Sequence, residues 1–122
     1  MGAFYFRMQN DTTTRIVLIR HGETAWNVDG RLQGHRDIPL GATGRVQARR
    51  LAQALAGRGD IDAIVSSDLS RALETARIVA EAQGLPVTTD IGLRERCFGD
   101  FEGRTRSEER RVGKECRSRW SP

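Results

Sequence analysis

The sequence predicts an α/β fold, a three-layer α/β/α sandwich with a mostly parallel sheet. Apolar runs with strand character at 15–20 and 61–66 are each followed by a segment with helical periodicity, and a third short run follows at 87–89. A strand–helix–strand–helix–strand order requires right-handed crossovers, which make successive strands parallel. The length of 122 residues suits one domain.

The first strand is predicted over residues 15–20, because a continuous β-branched and leucine run is typical of a strand buried on both faces. Residues 23–41 carry several glycines and scattered charges, which indicates a loop with at most one short helix near its start. Apolar residues then follow helical spacing over 42–56, and Gly57 ends that helix.

The second half repeats this order. Residues 61–66 predict a second strand, and Ser67 or Asp68 is expected to cap the helix that follows, since short oxygen side chains accept the free amides of a first turn. Gly84 ends the helix, and residues 87–89 form the third strand candidate.

The basic charge is concentrated at one end of the chain. The net charge is +4, and residues 106–122 account for +3 of it, so that the body is almost neutral. This distribution disfavours a nucleic-acid-binding module, which remains an alternative dependent on the tail alone. The tail resembles the direct translation of a common sequencing adapter, so we assign residues 106–122 as non-native. We assign residues 15–105 as native domain and residues 1–14 as a leader, with Met8 as an alternative start.

Composition excludes several further classes. The apolar runs are far shorter than the roughly 18 residues of a membrane span, and no secretory signal is recognisable. Cys97 and Cys116 match no metal-ligand spacing. We therefore expect a cytoplasmic protein with no metal and no membrane partner.

Polar clusters follow all three predicted strands, where parallel sheets collect function. Arg20 and His21 follow the first, Arg71 lies after the second, and Glu95 after the third. Guanidinium groups bind phosphate oxygens in pairs, an imidazole nitrogen acts as a nucleophile, and a carboxylic acid protonates a leaving oxygen.

Each of these residues also has an ordinary structural interpretation. A lone His after a strand is commonly structural, and an Arg in a first helical turn is commonly solvated. Glu95 has Arg neighbours with which to form a surface ion pair. Cys97 is expected as a buried or half-buried filler.

Four motifs in order resemble the histidine phosphatase superfamily, also called phosphoglycerate mutase-like. They are LIRHGETAWN at 18–27, RLQG at 31–34 with its following segment, SSDLSRALETA at 66–76, and LRER at 93–96 with FGDFEG at 98–103. The resemblance covers roughly 15–105. It implies a phosphoglycerate mutase-like fold and a reaction on a small phosphorylated metabolite without metal or cofactor.

The resemblance also implies the site residues. His21 is the residue phosphorylated during turnover and Glu95 the proton donor. The expected phosphate ligands are Arg20, Asn27 and Arg71, and the expected lining of the substrate mouth is Gln33 and Gly34.

Members of this family are commonly about twice as long and carry a second catalytic His in a later segment. Their sheet order is 3-2-4-1-5-6, so the present chain resembles the N-terminal half only and lacks the central strand. We therefore expect an uncovered apolar sheet face and an inactive fragment of a C-terminally truncated domain.

Two further alternatives concern the activity itself. Cys97-Phe98 and Gln33-Gly34 depart from the residues usual in phosphoglycerate mutases, which favours a phosphatase over a mutase. A non-catalytic domain that binds a phosphate ligand is the alternative from another class.

Overall fold

The computed structural model describes residues 2–7 and 14–105, and it contains four strands, three helices and two 3₁₀ turns there. The elements are β1 (Gly2–Arg7), β2 (Thr14–Ile19), α1 (Ala25–Val28), α2 (Ala42–Ala56), β3 (Ile61–Ser66), α3 (Ser70–Gln83) and β4 (Val87–Thr89), with 3₁₀ turns at Ile91–Leu93 and Gly99–Phe101. The predicted strand–helix order is confirmed. The assigned tail and the alternative start at Met8 lie outside the described residues.

The four strands form one sheet in the order β2-β1-β3-β4. Strand β1 pairs antiparallel with both β2 and β3, whereas β3 and β4 are parallel. Three of the four strands therefore run in one direction, as the sequence predicts. The N-terminal strand lies in the middle of the sheet and not at its edge. It occupies the position between β2 and β3 that the resemblance assigns to a later strand.

The hydrophobic core lies between the sheet and helices α2 and α3. Its buried members are Ala52, Leu55, Ile61, Ile64, Ala76, Val79 and Ala80, and Val17 and Ile19 of β2 pack against them. The alternate residues of β2 face away, because Ile16 is 54% exposed and Leu18 is 67% exposed. The prediction that this strand is buried on both faces is therefore wrong. Of the expected uncovered apolar face, the described residues show these two exposed side chains of β2. No helix in the described ranges is both long and apolar enough to cross a membrane.

Helix α3 begins differently from the sequence prediction. Its N-cap position is Leu69, which supplies no side-chain hydrogen bond. The Ser70 amide instead donates to Asp37 Oδ1 at 2.6 Å, and the Ser70 hydroxyl donates to Asp37 Oδ2 at 2.8 Å. The predicted cap by Ser67 or Asp68 is wrong, since the oxygen comes from a loop 33 residues away in sequence.

Candidate active site

His21 follows the end of β2, and its imidazole has a defined orientation. Its Nδ1 atom lies 2.7 Å from the carbonyl oxygen of Gly22. A carbonyl oxygen only accepts, so Nδ1 carries the proton of the neutral ring. The other ring nitrogen, Nε2, then has a free lone pair. This is the tautomer that a nucleophilic nitrogen requires.

The backbone beside His21 is packed against the first turn of α2. A Cβ atom on Gly22 would lie 2.4 Å from the Gly44 carbonyl oxygen, and a Cβ on Gly44 would lie 2.2 Å from the Glu23 carbonyl oxygen. Only glycine fits at either position, because a side chain would overlap with backbone.

The electrostatic surroundings keep the ring neutral. Burial lowers the pKa of His21 most strongly, the hydrogen bond to the Gly22 carbonyl raises it, and the positive charges of Arg71 and Arg20 lower it further. The net effect is a pKa below the ordinary value of 6.5. At neutral pH the imidazole is therefore uncharged and available for attack.

A cleft of about 380 Å³ lies beside the ring, and it is lined by Arg20, His21, Glu23, Asn27 and Gln47. The Asn27 side-chain oxygen accepts from the Thr24 amide at 3.0 Å and lies 3.1 Å from the Thr24 hydroxyl, whose proton goes to Gln33. Because its oxygen is used in this way, the Asn27 amide group has its NH₂ available as a donor.

Two residues that line the cleft, Glu23 and Gln47, were given no role from the sequence. The Gln47 side-chain oxygen accepts from the Glu23 amide at 2.9 Å, which links α2 to the loop after His21. Both residues lie within matched motif segments, and that membership was the only sequence signal for them. Whether a motif residue faces a cleft depends on the tertiary contact between α2 and this loop.

Arg71 is buried, with 1% exposure, so the interpretation of a solvated charge is wrong. Its guanidinium donates to the carbonyl oxygens of Arg36 at 2.6 Å and Gly34 at 2.7 Å, and to Glu95 Oε2 at 3.1 Å. These bonds use three of the five guanidinium N–H groups. A phosphate at this position would share the guanidinium with the loop carbonyls.

Glu95 pairs with Arg71, whose guanidinium Nη2 lies 3.1 Å from Glu95 Oε2. The adjacent Arg94 instead binds the Asp68 carboxylate, and this pairing raises the pKa of Arg94 and lowers that of Asp68. Cys97 is exposed, so the expectation of a buried filler is wrong. The structure therefore brings Glu95 and the buried guanidinium of Arg71 together.

The two expected mouth residues do not line this cleft. Gln33 is 5% exposed, and its side-chain oxygen accepts from the Thr24 hydroxyl at 2.6 Å. Gly34 has a φ of +54° and gives its carbonyl to Arg71. In this structure Gln33 and Gly34 therefore anchor their loop to Thr24 and Arg71. Within 2–7 and 14–105, no group of three or more His, Cys, Asp or Glu side chains has the arrangement of a metal site.

A family model described as the histidine phosphatase superfamily (branch 1) matches residues 16–122. The chain belongs to this superfamily. The recognised motifs at His21, Arg71 and Glu95 lie inside the matched segment. The match runs past residue 105, where the sequence interpretation places the end of the native domain.

Individual members of the superfamily are closely similar to this chain. Phosphoglycerate mutase-like protein 4 of Arabidopsis thaliana is 51% identical over 89 residues, which is 72% of this chain and 39% of that protein. The glucosyl-3-phosphoglycerate phosphatase of Mycolicibacterium vanbaalenii is 46% identical over 94 residues, which is 77% of this chain and 41% of that protein.

A solved structure gives the same result for the fold. The mycobacterial glucosyl-3-phosphoglycerate phosphatase in complex with VO3 superposes with a TM-score of 0.72 at 40% identity, covering 82% of this chain and 47% of that one. The histidine phosphatase fold is therefore present, and the chain spans less than half the length of these relatives.

Proposed function

We propose that this chain carries the nucleophile and phosphate ligands of a phosphomonoester phosphatase that acts through a phosphohistidine on a small phosphorylated metabolite. The observation that carries the proposal is the neutral His21 ring, which donates from Nδ1 to Gly22 and lines a cleft with Arg20. A nitrogen lone pair beside a guanidinium is suited to attack on a phosphorus atom whose oxygens are negatively charged.

Three side chains are proposed to hold the phosphate. Arg20 and Asn27 line the cleft with His21, and Arg71 is close enough to lower the pKa of His21. Phosphoryl transfer depends mainly on position and charge, so two guanidinium groups and an amide donor would supply much of what the transition state needs. Gln33 and Gly34 are proposed to shape the mouth through the loop whose carbonyls hold Arg71.

Glu95 is proposed as the proton donor. In the first step Nε2 of His21 bonds to phosphorus, the ester bond breaks, and the leaving oxygen takes a proton from Glu95. In the second step the Glu95 carboxylate takes a proton from a water molecule as the oxygen of that water attacks the phosphorus of the phosphohistidine. Inorganic phosphate is released, and the neutral imidazole is restored.

A phosphoglycerate mutase is the second candidate, and phosphoglycerate mutase-like protein 4 supports it. The phosphatase is favoured by Gln33 and by Cys97-Phe98, where the mutase pattern has other residues, and by the M. vanbaalenii relative. A non-catalytic domain that binds a phosphate ligand is the third candidate. It would bind the phosphomonoester without phosphorylation of His21. A cytoplasmic location and independence of nucleic acid belong to the same proposal.

The boundaries are also a proposal: a leader over 1–14, a native domain part over 15–105 and a foreign tail over 106–122. The relatives support it by aligning over 89 and 94 residues. Sequencing the genomic DNA past codon 105 tests it. An open frame that continues differently supports the division, and one that encodes 106–122 overturns it.

The function is tested in a chimera, because this chain spans less than half of its relatives. Residues 14–105 replace the aligned segment of the M. vanbaalenii phosphatase, and the chimera is given ³²P-labelled phosphomonoesters. We expect acid-labile radioactivity on His21, release of phosphate, and loss of both in His21→Ala. A folded chimera without label at His21 overturns the proposal. Interconversion of 2- and 3-phosphoglycerate without net phosphate release supports the mutase instead.

A further inference from the structure

Thr75 connects the two charged elements of the site through one hydroxyl group. It lies on α3 one turn after Arg71 and is 4% exposed. Its Oγ1 donates to the Arg71 carbonyl oxygen at 2.7 Å and accepts from the Gly22 amide at 3.1 Å. The second bond joins residues 53 positions apart in sequence. A single buried atom thus links the backbone beside His21 to the backbone of Arg71.

The same hydrogen bonds continue to the imidazole. The Gly22 carbonyl accepts from His21 Nδ1 at 2.7 Å, so Gly22 uses its amide toward Thr75 and its carbonyl toward the ring. The hydroxyl has one proton, which goes to the carbonyl of Arg71, and its lone pair receives the Gly22 amide. The donor and the acceptor are therefore defined in each hydrogen bond between the Arg71 carbonyl and the His21 ring.

We propose that Thr75 is a positioning residue that sets the tautomer of His21 and the placement of His21 relative to Arg71. The proposal rests on the function proposed above. Thr75 touches neither phosphate nor the reacting atoms, and it acts through Gly22.

A hydrogen bond from threonine to the carbonyl four residues earlier is common in helices and has no functional meaning alone. The bond from Gly22 distinguishes this residue. Gly22 is buried against Gly44, so water does not replace the hydroxyl as acceptor. Without the hydroxyl, the buried amide of the His21–Gly22 peptide is left without a partner, and this peptide turns to regain one. The turn changes φ and ψ of Gly22, which moves the Gly22 carbonyl of the next peptide away from Nδ1, and the ring is no longer held in one tautomer.

The test uses the 122-residue chain with three substitutions. Thr75→Val keeps the shape but removes the hydroxyl, and Thr75→Ser keeps the hydroxyl. Val79→Ala weakens the core one turn further along the same helix without touching Gly22. Ring nitrogen NMR at pH 8 reports the tautomer, and titration with inorganic phosphate reports binding through the His21 signals.

We expect the wild type to show the Nδ1–H tautomer and a phosphate-dependent shift at His21. Thr75→Val is expected to show mixed tautomers and phosphate affinity reduced about tenfold, the effect of one lost buried hydrogen bond. Thr75→Ser restores both readouts. Val79→Ala lowers the melting temperature and leaves both readouts unchanged.

The possible failures are distinguishable. If Thr75→Val keeps the single tautomer and the wild-type affinity, the positioning role is wrong. If the wild-type chain shows no response to phosphate, the chimera decides the proposed function, and the tautomer alone decides the role of Thr75. Should Thr75→Val not fold, Thr75→Ala takes its place, and the Gly22 amide in the wild type must exchange slowly with solvent. Rapid exchange there overturns the inference.

Discussion

The guanidinium of Arg71 lies 3.1 Å from the carboxylate of Glu95, measured from Nη2 to Oε2, although one side chain is 1% exposed and the other 39%. The ion pair therefore reaches from the interior to the surface. With a phosphate held by Arg71 as proposed, a group in this position would contact both that anion and the solvent that takes up a leaving alcohol. This geometry supports a proton-donating role for Glu95 more than a purely structural one.

The first prediction concerns Glu95→Gln in the chimera. We expect hydrolysis of alkyl phosphates to slow by a factor of about 10² to 10⁴, because the alkoxide leaves without a proton. Hydrolysis of p-nitrophenyl phosphate, whose leaving group needs no proton, is expected to slow by less than about tenfold. Glu81→Gln, at an exposed position of α3, is the control. Equal slowing of both substrates contradicts the proton-donor role.

The second prediction concerns the cap of α3. Asp37→Ala is expected to lower the free energy of unfolding by about 1 kcal/mol, since the Ser70 amide loses its acceptor. Ser67→Ala is expected to change it by less than about 0.5 kcal/mol, because Ser67 Oγ is buried without a hydrogen-bond partner among the described residues. Urea denaturation of the 122-residue chain measures both. A larger loss for Ser67→Ala contradicts this assignment.

The cap shows where sequence reasoning stops. The helix itself was predictable, because apolar spacing over 69–80 and the left-handed Gly84 at its end are local features. The residue that caps it was not, because Asp37 reaches Ser70 only through the tertiary fold of the loop that carries it. The same limit applies to Arg71. Its motif was recognisable, but its burial under the Gly34 and Arg36 carbonyls is a tertiary contact.

The exposed face of β2 has a different cause. A run of β-branched and leucine residues predicts burial on both faces of the strand, but it does not show which elements pack on each face. Which face is covered depends on the elements present, and in the described residues α2 and α3 pack together against the side that carries Val17 and Ile19. Likewise, no local pattern predicted that Gly2–Arg7 would insert between β2 and β3.

The third prediction concerns pH. The pKa of His21 is lowered in the folded chain, so the unfolded chain binds more protons between the folded pKa and 6.5. Stability from this group is present above 6.5 and is lost as the pH falls through the folded pKa. We expect the urea midpoint of the wild type to fall more steeply than that of His21→Asn below pH 6.5. Parallel curves would contradict the burial of a neutral ring.

The fourth prediction tests the close approach of α2 to the loop after His21. Gly44→Ala is expected to destabilise the chain by about 1 to 3 kcal/mol, because the new Cβ overlaps with the Glu23 carbonyl. Gly57→Ala is the control, since its φ is −78° and its Cβ would meet open space. That change is expected to be neutral or to stabilise by up to about 1 kcal/mol. Thermal unfolding compares them, and a neutral Gly44→Ala contradicts the packing.

The fifth prediction concerns the open face of the sheet. Leu18→Ala is expected to change the free energy of unfolding by less than about 0.5 kcal/mol, because the side chain is 67% exposed. Ile64→Ala is the buried counterpart at 1% exposure, and it is expected to cost about 2 to 5 kcal/mol. Urea denaturation of the two variants measures the contrast directly.

The same face is expected to drive self-association, since β2 is an edge strand that exposes Ile16 and Leu18. Leu18→Lys places a charge on that edge, and like charges on two approaching copies repel. Sedimentation velocity over a range of concentrations is expected to show association for the wild type and a weaker concentration dependence for Leu18→Lys. Lys at exposed Val46 on α2 is the matched control. An equal effect there would mean that net charge, and not the β2 edge, governs association.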